Sequence, residues 1–180
     1  EATALLEGRG LPPEDADAQR DRLLAGFRWI FVDEYQDIGP AQYALISALA
    51  GRKRSDEDGR LNLFAVGDDD QNIYAFAGAS VEFIRKFADD YQAQTRFLVE
   101  NYRSTANILD AASGVIANNR GRKKKTLWTD KDKGSKVLLY NAESEREEAS
   151  FVVKEIERLV VAESRKLSQF AVLYRMNSQS

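Results

Sequence analysis

Three short apolar runs in this chain each stop at a polar or acidic group. Trp29 to Val32 stops at Asp33-Glu34, Leu61 to Val66 at Gly67-Asp68-Asp69-Asp70-Gln71, and Phe97 to Val99 at Glu100-Asn101-Tyr102-Arg103. Continuous apolar runs of this length suit strands buried on both faces, as in parallel sheets. Helical patterns separate them. Pro40 and Gly51 bracket Tyr43, Ile46 and Leu49, which predicts a helix of about three turns. A second begins at about Ser80, with Val81, Ile84 and Phe87 on one face. Ser104 is a candidate cap for a third, which carries Ile108, Leu109, Ala112, Val115 and Ile116 at helical spacing. Alternation of strand and helix predicts an α/β fold with a mainly parallel sheet. Ligands of such sheets sit beyond the carboxyl ends of the strands, where all three polar groups fall.

The remaining segments are less regular. Residues 1–26 read as a polar, partly helical lead-in, residues 52–60 as a surface loop, and residues 118–136 as polar and basic. Lys136 to Tyr140 and Phe170 to Tyr174 read as further strands. Ser144 and Glu147 have capping-box spacing ahead of a helix bearing Phe151, Ile156, Leu159 and Val160. No internal repeat is present.

Composition removes whole classes of chemistry. The 180 residues contain no cysteine and no histidine. Disulfides, thiolate or imidazole zinc sites and histidine-based triads are therefore excluded. Carboxylates, amides, hydroxyls, Lys, Arg and Tyr remain. The net charge of −3 announces no global nucleic-acid field. No apolar run approaches the roughly 18 residues of a membrane span, and no secretory leader pattern is visible, so a cytoplasmic location is expected. The first residue is Glu1 and the last apolar run meets the end of the chain, so a piece of a longer protein is expected.

Each polar group has a chemical and a plainer interpretation. Asp33-Glu34 after a strand has the form of a Walker B element: the aspartate serves Mg²⁺ on a phosphate, and the glutamate activates water. Acids also simply end strands and cap helices. Asp68, Asp69 and Asp70 suit a turn, yet three adjacent carboxylates are costly to desolvate together without a cation. The Gln71 amide can touch a phosphate oxygen and a water at once. Tyr74 and Phe76 can stack on bases or pack in a core. Arg103 can neutralise charge growing on a γ-phosphate, with Tyr102 stacking on a base, or both can be ordinary surface residues. Arg120-Gly121-Arg122-Lys123-Lys124-Lys125 can contact nucleic-acid phosphates or form a solvated loop.

Together these strings resemble a known family. Val32-Asp33-Glu34-Tyr35-Gln36-Asp37 resembles motif II of superfamily 1 DNA helicases of the UvrD/Rep/PcrA type. Val66 to Tyr74, with Phe76 to Ala79, resembles motif III, and Glu100 to Thr105 resembles motif IV. Leu127-Trp128-Thr129 and Val172 to Ser180 are similar to later stretches. The resemblance implies parts of two RecA-like lobes, residues 1–99 and 100–180, with ATP between them. It also implies roles. Asp33 and Glu34 serve Mg²⁺, and Glu34 is the general base. Gln71 and Arg103 meet the γ-phosphate, Tyr102 stacks on adenine, and Tyr74 and Phe76 line single-stranded DNA. The expected parent is an ATP-dependent 3′ to 5′ helicase acting on single-stranded DNA and duplex junctions, completed by the remainder of the helicase chain.

Two departures stand out. The family commonly has Trp at position 76 and Arg at position 77, where this chain has Phe76 and Ala77. None of the eleven glycines is followed by Lys, so the 180 residues hold no phosphate loop and are not expected to hydrolyse ATP alone. The competing functional classes are a metal-dependent nuclease using Asp33, Glu34 and Asp68 to Asp70, and a helicase-derived interaction module without catalysis.

Overall fold

The computed structural model describes residues 1–52, 60–120, 122 and 125–175. The surface loop expected at 52–60 lies almost wholly outside them, as do Gly121, Lys123, Lys124 and Met176 to Ser180. Two compact units are present, Glu1–Gly134 and Ser135–Ser180.

In the first unit, α1 (Ala2–Leu6) and α2 (Pro13–Leu23) precede β1 (Trp29–Val32). Then come α3 (Pro40–Ala50), β2 (Asn62–Ala65), α4 (Val81–Tyr91) and α5 (Ala106–Ile116). The two strands are parallel, with Trp29 opposite Asn62 and Val32 opposite Ala65. This is the parallel sheet expected from the apolar runs, here with two strands among the described residues.

Local chemistry explains the helices. Pro40 occupies the first turn of α3, where its missing N–H costs nothing, and Gly51 closes the helix at φ 73°. Arg20 of α2 is buried and donates to the carbonyls of Ala48 (3.1 Å) and Leu49 (2.6 Å), so a cation satisfies the acceptor end of α3. The Ser80 hydroxyl accepts from the Glu82 N–H at the start of α4. Helix α5 starts at Ala106 rather than at a Ser104 cap. The Ser104 N–H is taken by the Asn101 carboxamide (2.7 Å), and the carbonyls of Asp132 and Lys133 accept from Ala106 and Asn107. Of its expected apolar stripe only Leu109 is buried.

The core lies on one face of the sheet. Tyr35, Ile38 and Ile46 form its centre, with Val32, Leu63, Ala65, Phe83, Ile84 and Phe87 packed around them. The Tyr35 ring meets Phe87 edge-on at 5.0 Å, and Tyr43 stacks on Phe83 at 4.4 Å. The opposite face carries Trp29, Phe31 and Phe64, all more than half exposed. Burial on both faces, expected for these strands, is thus corrected to burial on one.

Three expected strands do not form. Phe97 to Val99 leads into a single parallel bridge, Glu100 to Trp128. Lys136 to Tyr140 and Phe170 to Tyr174 lie in the second unit without a ladder. An apolar run becomes a strand only beside a partner that takes its backbone groups, and beyond the bridge to Trp128 none of the described residues provides one. That unit is built on α6 (Glu145–Glu163). The Ser144 hydroxyl accepts from the Glu147 N–H as expected, while the Glu147 carboxylate accepts from Glu143 instead of Ser144. Tyr140 stacks on Phe151 at 3.9 Å and donates to Glu147. No helix of the described residues is long and apolar enough to cross a membrane.

Gly67, immediately after β2, has no room for a side chain. A Cβ there would lie 2.6 Å from the Gln36 Oε1 and 2.8 Å from the Ile84 Cδ1. Gly67→Ala is expected to destabilise the fold by about 1–3 kcal/mol through overpacking. Urea denaturation should show a lower midpoint at unchanged slope.

Candidate functional site

β1 ends at Val32, and the next residues form the first half of the site. Glu34 holds a left-handed backbone conformation (φ 50°, ψ 45°), which costs a non-glycine residue energy and is characteristic of functional turns. Its N–H donates to the Asp33 carboxylate at 2.9 Å. A 3-10 turn at Tyr35–Asp37 then carries Tyr35 and Gln36 into the interior.

Gln36 is 1% exposed, and its amide is used at both ends. Nε2 donates to the Glu34 carboxylate at 2.6 Å, and Oε1 accepts from the Asp68 backbone N–H at 2.9 Å. Only this orientation of the amide satisfies both neighbours. The Gln36 carbonyl also accepts from the Asn72 amide at 2.5 Å. One buried residue therefore ties the end of β1 to the end of β2. Its spacing within the motif showed nothing of this, because burial of an amide leaves no local signature.

The second half is Asp68 to Gln71. The Asp68 carboxylate accepts from the Asp70 N–H (3.0 Å) and from the Gln71 amide (2.8 Å). The Lys125 ammonium pairs with Asp68 and lies 3.6 Å from Asp69 and 3.7 Å from Asp70. Arg122 pairs with Asp70 at 2.8 Å. Burial pushes the Asp68 carboxyl up. The Lys125 ammonium, the Asp70 N–H and the Gln71 amide outweigh it and hold the group below the usual carboxylate range.

These ion pairs revise two expectations. Arg122 and Lys125 of the basic cluster are neither solvated nor turned to an outside polyanion. They supply the cations that three adjacent carboxylates required. The sequence held this signal, in an acidic triplet and one basic cluster, but not their proximity. The carboxylates of Asp68, Asp69 and Asp70 lie within 4.8 Å of one another, as metal ligands would. A metal ion at these three carboxylates would have to displace the Lys125 ammonium.

Asp33, Glu34, Gln71 and Arg103 line a single cleft of about 900 Å³ in the first unit, together with Asp68 and Lys125. The Asn101 carboxamide shapes the turn at Arg103 by accepting from the N–H groups of Arg103 (3.0 Å) and Ser104. Neither Asp33 nor Glu34 is in an ion pair among the described residues. Their oxygens suit a hard divalent cation, so the residues present fit Mg²⁺.

The aromatic candidates lie elsewhere. Tyr102 is 74% exposed, and its hydroxyl donates to Glu100 at 2.6 Å, which raises the phenol above its ordinary range. Tyr74 precedes a 3-10 turn at Ala75–Ala77 and Phe76 is its middle residue, with the two ring centroids 6.1 Å apart. Phe76 is 86% exposed, so none of the described residues encloses its ring.

Comparison with known proteins covers nearly the whole chain. Residues 6–92 match the UvrD/REP helicase N-terminal domain, and residues 97–180 match the UvrD-like helicase C-terminal domain. The ATP-dependent DNA helicase PcrA of Staphylococcus epidermidis is 48% identical over 155 residues, which is 86% of this chain and 20% of that protein. The ATP-dependent DNA helicase UvrD1 of Mycobacterium tuberculosis is 46% identical over 155 residues, with the same coverage of both chains. DNA helicase II of Haemophilus influenzae is 47% identical over 154 residues, again 86% of this chain and 20% of that protein. The chain spans about one fifth of the length of the curated relatives it matches.

The doubly bonded Gln36 amide carries a direct consequence. Gln36→Leu keeps the volume but strands the Asp68 N–H and frees the Glu34 side chain. A loss of about 1–3 kcal/mol is expected from the unsatisfied donor, measurable in thermal or urea unfolding.

Proposed function

This chain belongs to the UvrD/Rep helicase family, and on that premise we propose that it supplies part of the ATP-hydrolysing motor of a DNA helicase. The observation that carries this reading is the convergence of Asp33, Glu34, Gln71 and Arg103 on one cleft. In the proposed assignment, residues 1–99 complete a first RecA-like lobe and residues 100–180 begin a second. The phosphate loop comes from another part of the protein, since no glycine here precedes Lys.

The division of labour is set by the chemistry of each side chain. Mg²⁺, when bound, neutralises phosphate charge, and Asp33 with Glu34 would hold it. Glu34 takes the proton of the attacking water through its carboxylate, and the Gln36 Nε2 keeps that carboxylate aimed. Gln71 meets the γ-phosphate and the water with its amide. Arg103 balances the charge that grows in the transition state. Tyr102, exposed beside this segment, stacks on adenine. Tyr74 and Phe76 offer their rings to the bases of single-stranded DNA. Translocation runs 3′ to 5′ toward duplex junctions, in the cytoplasm.

Glu34→Gln in the full-length protein is expected to reduce DNA-stimulated ATP turnover by about 100-fold or more, while ATP binding stays within a few-fold. Steady-state hydrolysis together with nucleotide titration checks it. A variant with most of its turnover intact would remove Glu34 as the base.

Phe76→Ala separates stacking from packing. Because the ring is exposed, the melting temperature should hardly move. Affinity for single-stranded DNA should fall by about 1–3 kcal/mol. The slope of affinity against salt should stay constant, since no phosphate contact is lost. DNA titrations at several salt concentrations decide the matter.

A further inference from the structure

Lys125 reaches three carboxylates at once, and its side chain is only 13% exposed. A lysine this enclosed is unsuited to steering a polyanion from solution. Its nearest partner is Asp68, and Asp68 is not an isolated charge. One oxygen of that carboxylate takes Lys125 and the Asp70 N–H; the other takes the Gln71 amide at 2.8 Å. The Gln71 backbone N–H also returns to the Asp68 carbonyl at 2.9 Å. Gln71 is thus held twice by a residue whose side chain Lys125 anchors.

The chain beyond Lys125 leads to the other end of the cleft. Three residues later the Trp128 N–H donates to the Val99 carbonyl (3.0 Å), and the Trp128 carbonyl accepts from Asn101 (2.7 Å). Asn101 in turn shapes the turn that bears Arg103. Segment 125–128 therefore touches the supports of both Gln71 and Arg103. A role for Lys125 in hydrolysis rests on the assignment of these two groups to the γ-phosphate under the proposed function.

We propose that Lys125 is a positioning residue for ATP hydrolysis: by anchoring the Asp68 carboxylate it orients the Gln71 amide, and through segment 125–128 it keeps Gln71 in register with Arg103. Lys125 itself does not bind the nucleotide. Removing its charge takes from Asp68 the ammonium that pairs with its carboxylate, while Arg122 stays on Asp70. Asp68 then turns away from Asp69 and Asp70, and the Gln71 amide loses its fixed acceptor. A group misplaced by an ångström acts poorly in the transition state while ground-state binding hardly changes.

The test uses the full-length protein and four variants, K125M, K125R, Q71A and the double variant K125M/Q71A, assayed for DNA-stimulated ATP hydrolysis. K125M should lower kcat by about 10-fold or more, with KM for ATP changed less than about 3-fold. K125R should recover most of that loss. The double variant should be no slower than Q71A alone by more than about twofold, because both substitutions remove one function. Three results would overturn the proposal while leaving the role of Gln71 intact: K125M within twofold of wild-type kcat, a loss in the double variant equal to the product of the single losses, or a rise in KM with kcat unchanged. A shallower salt dependence of single-stranded DNA binding by about one phosphate, with DNA-independent hydrolysis unaffected, would instead make Lys125 a DNA contact and equally overturn it. Full activity of Q71A would overturn the assignment of Gln71 and this inference with it. Should K125M lose its cooperative melting transition, Lys125→Gln takes its place under the same thresholds.

Discussion

Everything at the cleft depends on how β1 and β2 end beside each other. The parallel ladder that opposes Val32 to Ala65 continues past the strands, with the Val66 N–H on the Val32 carbonyl and the Tyr35 N–H on the Val66 carbonyl, both at 2.9 Å. Two chain reversals are thereby held close together. The gap is filled by the Gln36 amide, which is why Gly67 cannot carry a Cβ. Glu34 accepts an unfavourable backbone conformation at the same point. The buried Tyr35 ring and the Gln36 bonds over-determine the turn and hold it there.

The second organising force is charge neutralisation inside the unit. Asp68, Asp69 and Asp70 have no solvent shell large enough to separate them, with Asp69 and Asp70 side chains about one twentieth exposed. Lys125 and Arg122 arrive from more than 50 residues away in the chain to balance them. The two cations are then committed. On the proposed function, DNA contact at this part of the protein rests on the exposed rings of Tyr74 and Phe76, not on Lys125 and Arg122. Such contact is tolerant of base identity and weakly dependent on salt.

Legibility in the sequence tracks the range of the interactions. The ends of α3, α4 and α6 were readable because Pro40, Gly51, Ser80 and Ser144 act on backbone groups within a turn of themselves. Ser104 misled by one position: Thr105 precedes α5, and the Ala106 and Asn107 N–H groups go to the carbonyls of Asp132 and Lys133 and not to a hydroxyl. Runs such as Lys136 to Tyr140 misled more, because an apolar run records a preference for burial and not the presence of a partner strand. The one-sided exposure of Trp29, Phe31 and Phe64 had no counterpart in the sequence either. Both depend on what lies against the sheet, which local pattern does not encode.

The sequence by itself determined the family of the chain and the chemistry open to it. The absence of His and Cys narrowed catalysis to carboxylates, amides, hydroxyls, Lys, Arg and Tyr. The order of Asp33-Glu34, Asp68 to Gln71 and Tyr102-Arg103 named the candidates. Tertiary structure alone decided how they are supported. It buried Gln36 between Glu34 and Asp68, set Lys125 among three aspartates, and left Phe76 exposed where residue type alone favoured a core position. The physical reason is separation along the chain. The Gln36–Asp68 and Lys125–Asp68 contacts close loops of 32 and 57 residues. Residue type shows that a buried amide or a clustered carboxylate needs a partner; only the folded backbone shows which one it finds.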